Sequence, residues 1–266
     1  MPMNELNIPT LHIDGSSMSS ISSDISIISK TGIQTNGSPN QNFLDISTNM
    51  VRKKNPSTSE SKVLVLYTGG TIGMKCKENG VYEPETDYLP FTIRDTPYLN
   101  DKEYVNEFYR NSQSQPCCLP PVRNTMKRIV YSFMEYNPLL DSSDMTFDDW
   151  IKIAEDIRKN YDSYDGFVVL QGTDTLAYSA SALSFMMENL GKPVVITGAQ
   201  ISVAEVRSDG RENLVGALIL AGNFDIPEVT VYFNYNLMRG NRCTKLDNYG
   251  FGAFISPNMD PLATMA

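Results

Sequence analysis

The chain has 266 residues, 41% of them hydrophobic, and a formal charge of −9 at pH 7. That length accommodates one or two domains with a sizeable core. The acidic balance argues against a nucleic-acid partner, which needs a basic surface, and without an apolar run of 18 residues no membrane partner is expected.

The N-terminal "MPMNELNIPT" has neither a basic segment nor an apolar core, so it does not read as a secretory signal. Residues 1–60 are rich in Ser, Asn and Thr, as in "SSMSSISSDISIISK", with poor periodicity and frequent turn formers. They are expected to form a disordered leader. The single histidine, His12, falls in it, which removes histidine from the candidate bases and metal ligands. The four cysteines, Cys76, Cys117, Cys118 and Cys243, form no CxxC pair. Reduced thiols in a cytoplasmic protein are expected, with no disulfide framework and no metal site.

From residue 61 to 261 the texture is that of a domain, with 262–266 read as the start of a linker. "VLVLY" (63–67) is a short apolar β-rich run that ends in "TGGT". "TFDDWIKIAEDIRKNY" places Trp150, Ile153, Ala154, Ile157 and Tyr161 at helical spacing, with Thr146 and Asp149 as a capping box. "GFVVL" (166–170) is a second apolar strand, and "TLAYSASALSFMMENLGKP" a helix expected to close at Gly191 and Pro193. "VVITG", the helical "GRENLVGALILAG" and the strand "VTVYFN" follow. Strands that are apolar on both faces and alternate with helices predict a three-layer, doubly wound α/β domain with a mainly parallel sheet.

In such sheets ligands collect at the carboxyl ends of the strands. "YTGGT" leaves one strand there and "QGTDT" (171–175) leaves another. The glycines of the first turn are open to a purely structural reading, as a tight bend, or to a functional one. The phosphate-loop fingerprints GxxxxGK[ST] and GxGxxG are absent. In the second turn an N-cap role accounts for one of Thr173 and Asp174 but not for both. A carboxylate at that edge suits an ammonium group. Lys245, in the polar stretch "LMRGNRCTKLDNYG", is either a solvated surface charge or a cation that polarises Thr173.

Six ordered segments, "YTGGTIG", "DSSDMTFDDW", "QGTDTLAYSASALSFM", "ITGAQI", "RSDGRENL" and "RGNRCTK", resemble the bacterial-type L-asparaginases, and more closely their cytoplasmic type I branch. The resemblance runs from about Lys62 to Pro261. It implies hydrolysis of the side-chain amide of L-asparagine to aspartate and ammonia, without a cofactor. By motif, Thr71 corresponds to the nucleophile, and Thr68 to a position that serves the turn. Tyr82 corresponds to the tyrosine that covers the site and hydrogen-bonds to the nucleophile. Thr173, Asp174 and Lys245 correspond to the second catalytic group, with Asp174 also pairing with the substrate ammonium. Ser142 corresponds to the serine that binds the substrate α-carboxylate, flanked by Asp141 and Ser143.

Two departures carry consequences. Position 171 is Gln where the family usually has His, so modulation of the site is expected rather than its loss. Family members also continue into a smaller C-terminal domain that helps build a tight dimer, so a homo-oligomer is expected for a full-length chain and impaired activity for one that stops at Ala266. Two other readings stand beside hydrolysis: a non-catalytic asparagine-binding or regulatory protein, and the ammonia-releasing subunit of a tRNA-dependent amidotransferase.

Overall fold

The computed structural model describes residues 59–123, 125 and 127–265. Apart from Ser59 and Glu60, the leader and His12 lie outside the described residues. Glu60 already belongs to the first strand, and the carbonyl of Ser59 accepts a hydrogen bond from the Arg128 N–H.

An eight-stranded sheet organises the domain. In chain order its strands are β1 (Glu60–Gly69), β4 (Cys117–Cys118), β5 (Arg128–Leu140), β6 (Gly166–Leu170), β7 (Val194–Thr197), β8 (Val229–Phe233), β9 (Asn236–Arg239) and β12 (Ala263–Thr264). Their spatial order is β12-β9-β8-β7-β6-β1-β5-β4. The five central strands run parallel, and β4, β9 and β12 are antiparallel at the edges. Two small ribbons stand apart: β2 (Met74–Cys76) with β3 (Tyr82–Pro84), and β10 (Thr244–Lys245) with β11 (Phe254–Ile255). The residues expected to begin a linker instead extend the sheet. Ala263 and Thr264 pair with Leu237 and Asn236, and Leu262 donates its N–H to the Leu237 carbonyl.

Strand β1 shows why the central strands are apolar throughout. Side chains alternate across a strand, so Val63, Val65 and Tyr67 enter one core layer while Leu64 and Leu66 enter the other. The first layer is closed by Leu214, Ala217, Leu218 and Ala221 of α5 (Gly210–Asn223) and by Leu89 and Ile93 of α1 (Tyr88–Asp95). The second is closed by Ile153 and Ile157 of α3 (Phe147–Asn160) and by Leu176, Ala180 and Leu183 of α4 (Leu176–Met186). The remaining helix, α2 (Lys102–Tyr109), packs Tyr104, Val105 and Tyr109 near β4. Helices on both faces of a mainly parallel sheet make the three-layer α/β architecture.

Local details follow the sequence with two exceptions. The capping box of α3 forms, with the Asp149 carboxylate accepting the Thr146 N–H at 2.8 Å. The Trp150 indole donates to Ser179 Oγ at 2.7 Å, tying α3 to α4. Helix α4, however, stops at Met186, before the glycine expected to close it. The left-handed residue there is Asn189, with φ of 54°, because its short polar side chain tolerates that conformation. The second exception is β5, whose 13 residues "RIVYSFMEYNPLL" mix polar and apolar positions and hide the strand. Its pairing with β1 slips between Tyr67 and Gly69, where the partners jump from Glu135 to Leu140. Such a bulge re-aims the strand end and brings the segment after Leu140 beside the turn that leaves β1. Among the described residues no helix is long and apolar enough to cross a membrane.

Candidate active site

Four strand ends meet at the carboxyl edge of the sheet, joined by close backbone packing and side-chain hydrogen bonds. The turn after β1 carries Gly69 and Gly70 at φ of 137° and 88°, conformations open to glycine. A Cβ at Gly70 would come closer than 3.0 Å to the backbone of Gln171 and Gly172 in the turn after β6. Gly172 in turn lies against Ser142, where a Cβ would fall 2.5 Å from the serine Oγ. The turn "TGGT" therefore packs on the backbone of "QGTDT", and "QGTDT" packs on the Ser142 side chain of "DSSD".

Thr71 opens a single 3-10 turn, Thr71–Gly73, and is half-buried. Thr68, fully buried, donates its hydroxyl to the Leu170 carbonyl at 3.0 Å across the β1–β6 pair, a structural contact. Ser142 is buried at the start of a 3-10 turn, and its carbonyl accepts the Thr175 hydroxyl at 2.7 Å. Asp141 and Ser143 bind each other, the carboxylate taking both the N–H and the hydroxyl of Ser143 at 2.9 Å.

The second cluster forms across 71–72 residues of sequence. Lys245 Nζ donates to Thr173 Oγ1 at 2.9 Å and to Asp174 Oδ1 at 2.8 Å. The lysine side chain is 13% exposed and the aspartate 66%, so the carboxylate stands at the rim with the cation behind it. The Thr173 hydroxyl donates to Gln200 Oε1 at 3.3 Å.

Tyr82 departs from its expected contact. It sits on β3, partly exposed, and its phenol donates to Glu205 Oε1 at 2.7 Å rather than to Thr71. The hydrogen bond to that carboxylate, with smaller contributions from desolvation and the negative charge, pushes the phenol up to about 12. In this conformation Tyr82 holds its proton at neutral pH. The ribbon that carries it is pinned by Glu85, which pairs with Lys77 at 2.6 Å and Lys75 at 2.9 Å. Beyond it, Glu135 accepts the Asp87 N–H at 2.8 Å. Burial raises the Glu135 carboxyl. Glu205→Gln should return the Tyr82 titration from about 12 toward the ordinary tyrosine value of about 10. Phenolate absorbance, read against a Tyr82→Phe subtraction, measures this, and an unmoved titration would remove Glu205 as the cause.

Gln171 faces inward instead of lining the site. It is 1% exposed, and its Nε2 donates to Thr175 Oγ1 at 3.1 Å and Ser179 Oγ at 2.9 Å. Through Thr175 it supports the Ser142 carbonyl, and through Ser179 it meets Trp150. This buried amide is a support behind the second turn.

Sequence reasoning passed over Gln200 and Asp209, although both fall within quoted segments. "ITGAQI" leaves β7 at the same sheet edge as the two threonine turns, and that placement was the available signal. The Asp209 carboxylate accepts the N–H groups of Gln200 at 3.0 Å and Ile201 at 3.0 Å, fixing this third turn from behind. Glu205, in "SVAEVRSDG", had no such signal; the Arg211 side chain holds its carbonyl in place.

A three-layer α/β domain with two abutting threonine turns, one backed by a lysine–aspartate pair, defines a class of site suited to acyl-transfer chemistry. Residues 62–266 match the family described as Asparaginase, N-terminal, and the chain belongs to that family. It is 65% identical to the L-asparaginase of Dirofilaria immitis over 206 residues, covering 77% of this chain and 35% of that protein. It is 48% identical to the 60 kDa lysophospholipase of Mus musculus over 206 residues, covering 77% and 36% respectively. The crystal structure of L-asparaginase I from Vibrio cholerae superposes with a TM-score of 0.63 at 45% identity, covering 78% of this chain and 55% of that one. The chain thus spans between a third and just over half of the length of these relatives.

Proposed function

We propose that this chain hydrolyses L-asparagine to L-aspartate and ammonia, with Thr71 as the nucleophile. One observation carries the reading: Lys245, from β10, bonds Thr173 and Asp174 of the turn that abuts the Thr71 turn through Gly70 and Gly172. The names of the Dirofilaria and Vibrio relatives support it.

In this reading the α-ammonium of the substrate meets Asp174 and the α-carboxylate meets the Ser142 region. Thr71 Oγ1 bonds to the side-chain amide carbon, the C–N bond breaks, and the departing NH2 takes up the proton that Thr71 gives up, leaving as ammonia. Water then opens the resulting ester, releasing aspartate and restoring the threonine hydroxyl. Lys245, bonded to Thr173 and Asp174, supplies positive potential beside the reacting centre. Tyr82 would leave Glu205 and cover the site when substrate is bound. The chemistry uses only side chains of this family's site and calls for no metal or cofactor. Four free thiols accord with a cytoplasmic location, and a homo-oligomer is the proposed working state of the whole protein.

The test is ammonia release from L-asparagine and L-glutamine. Glutamine is one methylene longer, so asparagine should be preferred by about 10- to 200-fold in kcat/KM. Equal rates would show that Asp174 and the Ser142 region do not fix the reach to the amide. A parallel incubation with a lysophospholipid addresses the activity named for the mouse relative. The charged Asp174–Lys245 rim suits an amino acid rather than an acyl chain, so no fatty acid should appear. Binding of asparagine without ammonia release would favour the non-catalytic reading.

A further inference from the structure

We infer that Gln200 sets the hydrogen-bond polarity of Thr173 and thereby makes the site select a side-chain amide over the corresponding carboxylate. The inference rests on the asparaginase reading above and takes the scissile amide to lie beside Thr173, in the turn that abuts the Thr71 turn.

Gln200 Nε2 donates to the Gly250 carbonyl at 3.2 Å, and a carbonyl can only accept. That contact orients the amide, leaving Oε1 toward Thr173 Oγ1 at 3.3 Å. An amide oxygen cannot donate, so the Thr173 hydroxyl must give its proton to Gln200. Lys245 Nζ, a donor without a lone pair, occupies one acceptor position of the same oxygen at 2.9 Å. One lone pair of Thr173 remains. Toward a ligand this hydroxyl is therefore an acceptor only, and it matches the N–H of an amide but not an oxygen of a carboxylate.

Neighbouring contacts make the arrangement rigid. The Gln200 backbone N–H is held by both carboxylate oxygens of Asp209, at 3.2 and 3.0 Å. Asp209 is only 8% exposed and also accepts from Asn213 Nδ2 at 3.3 Å. Gly250 follows Asp247, whose carboxylate accepts the Tyr249 N–H at 2.8 Å. Gln200 thus links the turn after β6, the turn after β7 and the loop after β10. Its role is positioning, exerted through Thr173.

The consequence concerns product as well as substrate. Asparagine and aspartate differ only in the group that would face Thr173: one offers N–H donors, the other only acceptors. A free Thr173 hydroxyl would rotate to donate to aspartate, and product would then compete with substrate. With Gln200 holding the proton, that rotation is blocked.

The experiment measures binding in a Thr71→Ala background, by calorimetry with L-asparagine and L-aspartate at neutral pH. Gln200→Met removes both amide contacts at similar length and frees the Thr173 proton. The asparagine-over-aspartate affinity ratio should then fall about tenfold, the worth of one hydrogen bond to a charged group. Gln200→Glu keeps an acceptor facing Thr173, so its ratio should stay at or above that of the Thr71→Ala parent. An unchanged ratio in Gln200→Met, or equal weakening of both ligands, would overturn the inference and leave the asparaginase reading standing. If Thr71→Ala binds no asparagine and the unmutated chain releases no ammonia, the reading itself fails and the inference with it.

Discussion

Thr71→Ala should lower ammonia release from L-asparagine by at least about a thousandfold, the scale on which loss of a catalytic nucleophile is felt. The same change should leave the thermal midpoint within roughly 2 °C, a surface-type effect. Thr71 is half-buried, and its hydroxyl takes part in none of the side-chain hydrogen bonds that hold the three turns together. Its methyl and hydroxyl contribute little to the core, so activity and stability separate at this position. Thr71→Ser retains the hydroxyl and should keep activity within about a hundredfold of the parent, because the attacking atom survives and only its orientation loosens. A Thr71→Ala protein with more than about a tenth of the parent rate would move the nucleophile elsewhere.

Gly70→Ala should destabilise the domain and disable the site together. At φ of 88° an alanine is strained wherever it points, and its Cβ would enter the backbone of Gln171 and Gly172 at under 3.0 Å. Backbone strain of about 1–3 kcal/mol and overpacking of similar size combine to roughly 4 kcal/mol. For a domain of this size that is a fall in midpoint on the order of 10 °C. Relief comes only by separating the turn after β1 from the turn after β6, which draws Thr71 away from Thr173 and Lys245. Stability and ammonia release should therefore fall together, unlike in Thr71→Ala. Thermal unfolding and turnover on the same preparation check this. A stable Gly70→Ala with intact turnover would show that the two turns are less closely packed than the backbone contact implies.

Legibility in the sequence followed chemical regularity. The strands 63–67, 166–170, 194–197 and 229–233 were readable because strands buried on both faces must be apolar at every position. Helix α3 was readable because one face is buried and its N-terminus carries a capping box. Strand β5 was not: its polar stretch, from Glu135 to Asn137, lies where the strand bulges before Leu140 pairs with Gly69. The end of α4 was misplaced at Gly191, since a glycine marks where a chain can turn, whereas Asn189 is where it does. Of the site, Thr71, Thr173, Asp174 and Lys245 were each marked by motif. Ser142 was marked too, but the reason it lies so near Gly172 was not.

By itself the sequence determined the layer architecture and the two threonine turns at one sheet edge, while leaving Lys245 either a surface charge or a partner of Thr173. Those are consequences of hydrophobic pattern and turn chemistry, which act over a few neighbouring residues. Tertiary structure alone decided that Tyr82 bonds Glu205, 123 positions away, that Gln171 supports from within, that Lys245 meets Thr173 and Asp174, and that Gln200 accepts the Thr173 hydroxyl. Hydrogen-bond partners distant in sequence are chosen by which groups the packed sheet brings within about 3 Å with the right geometry. No local pattern encodes that choice, because an amide or a carboxylate has the same composition whichever neighbour it meets.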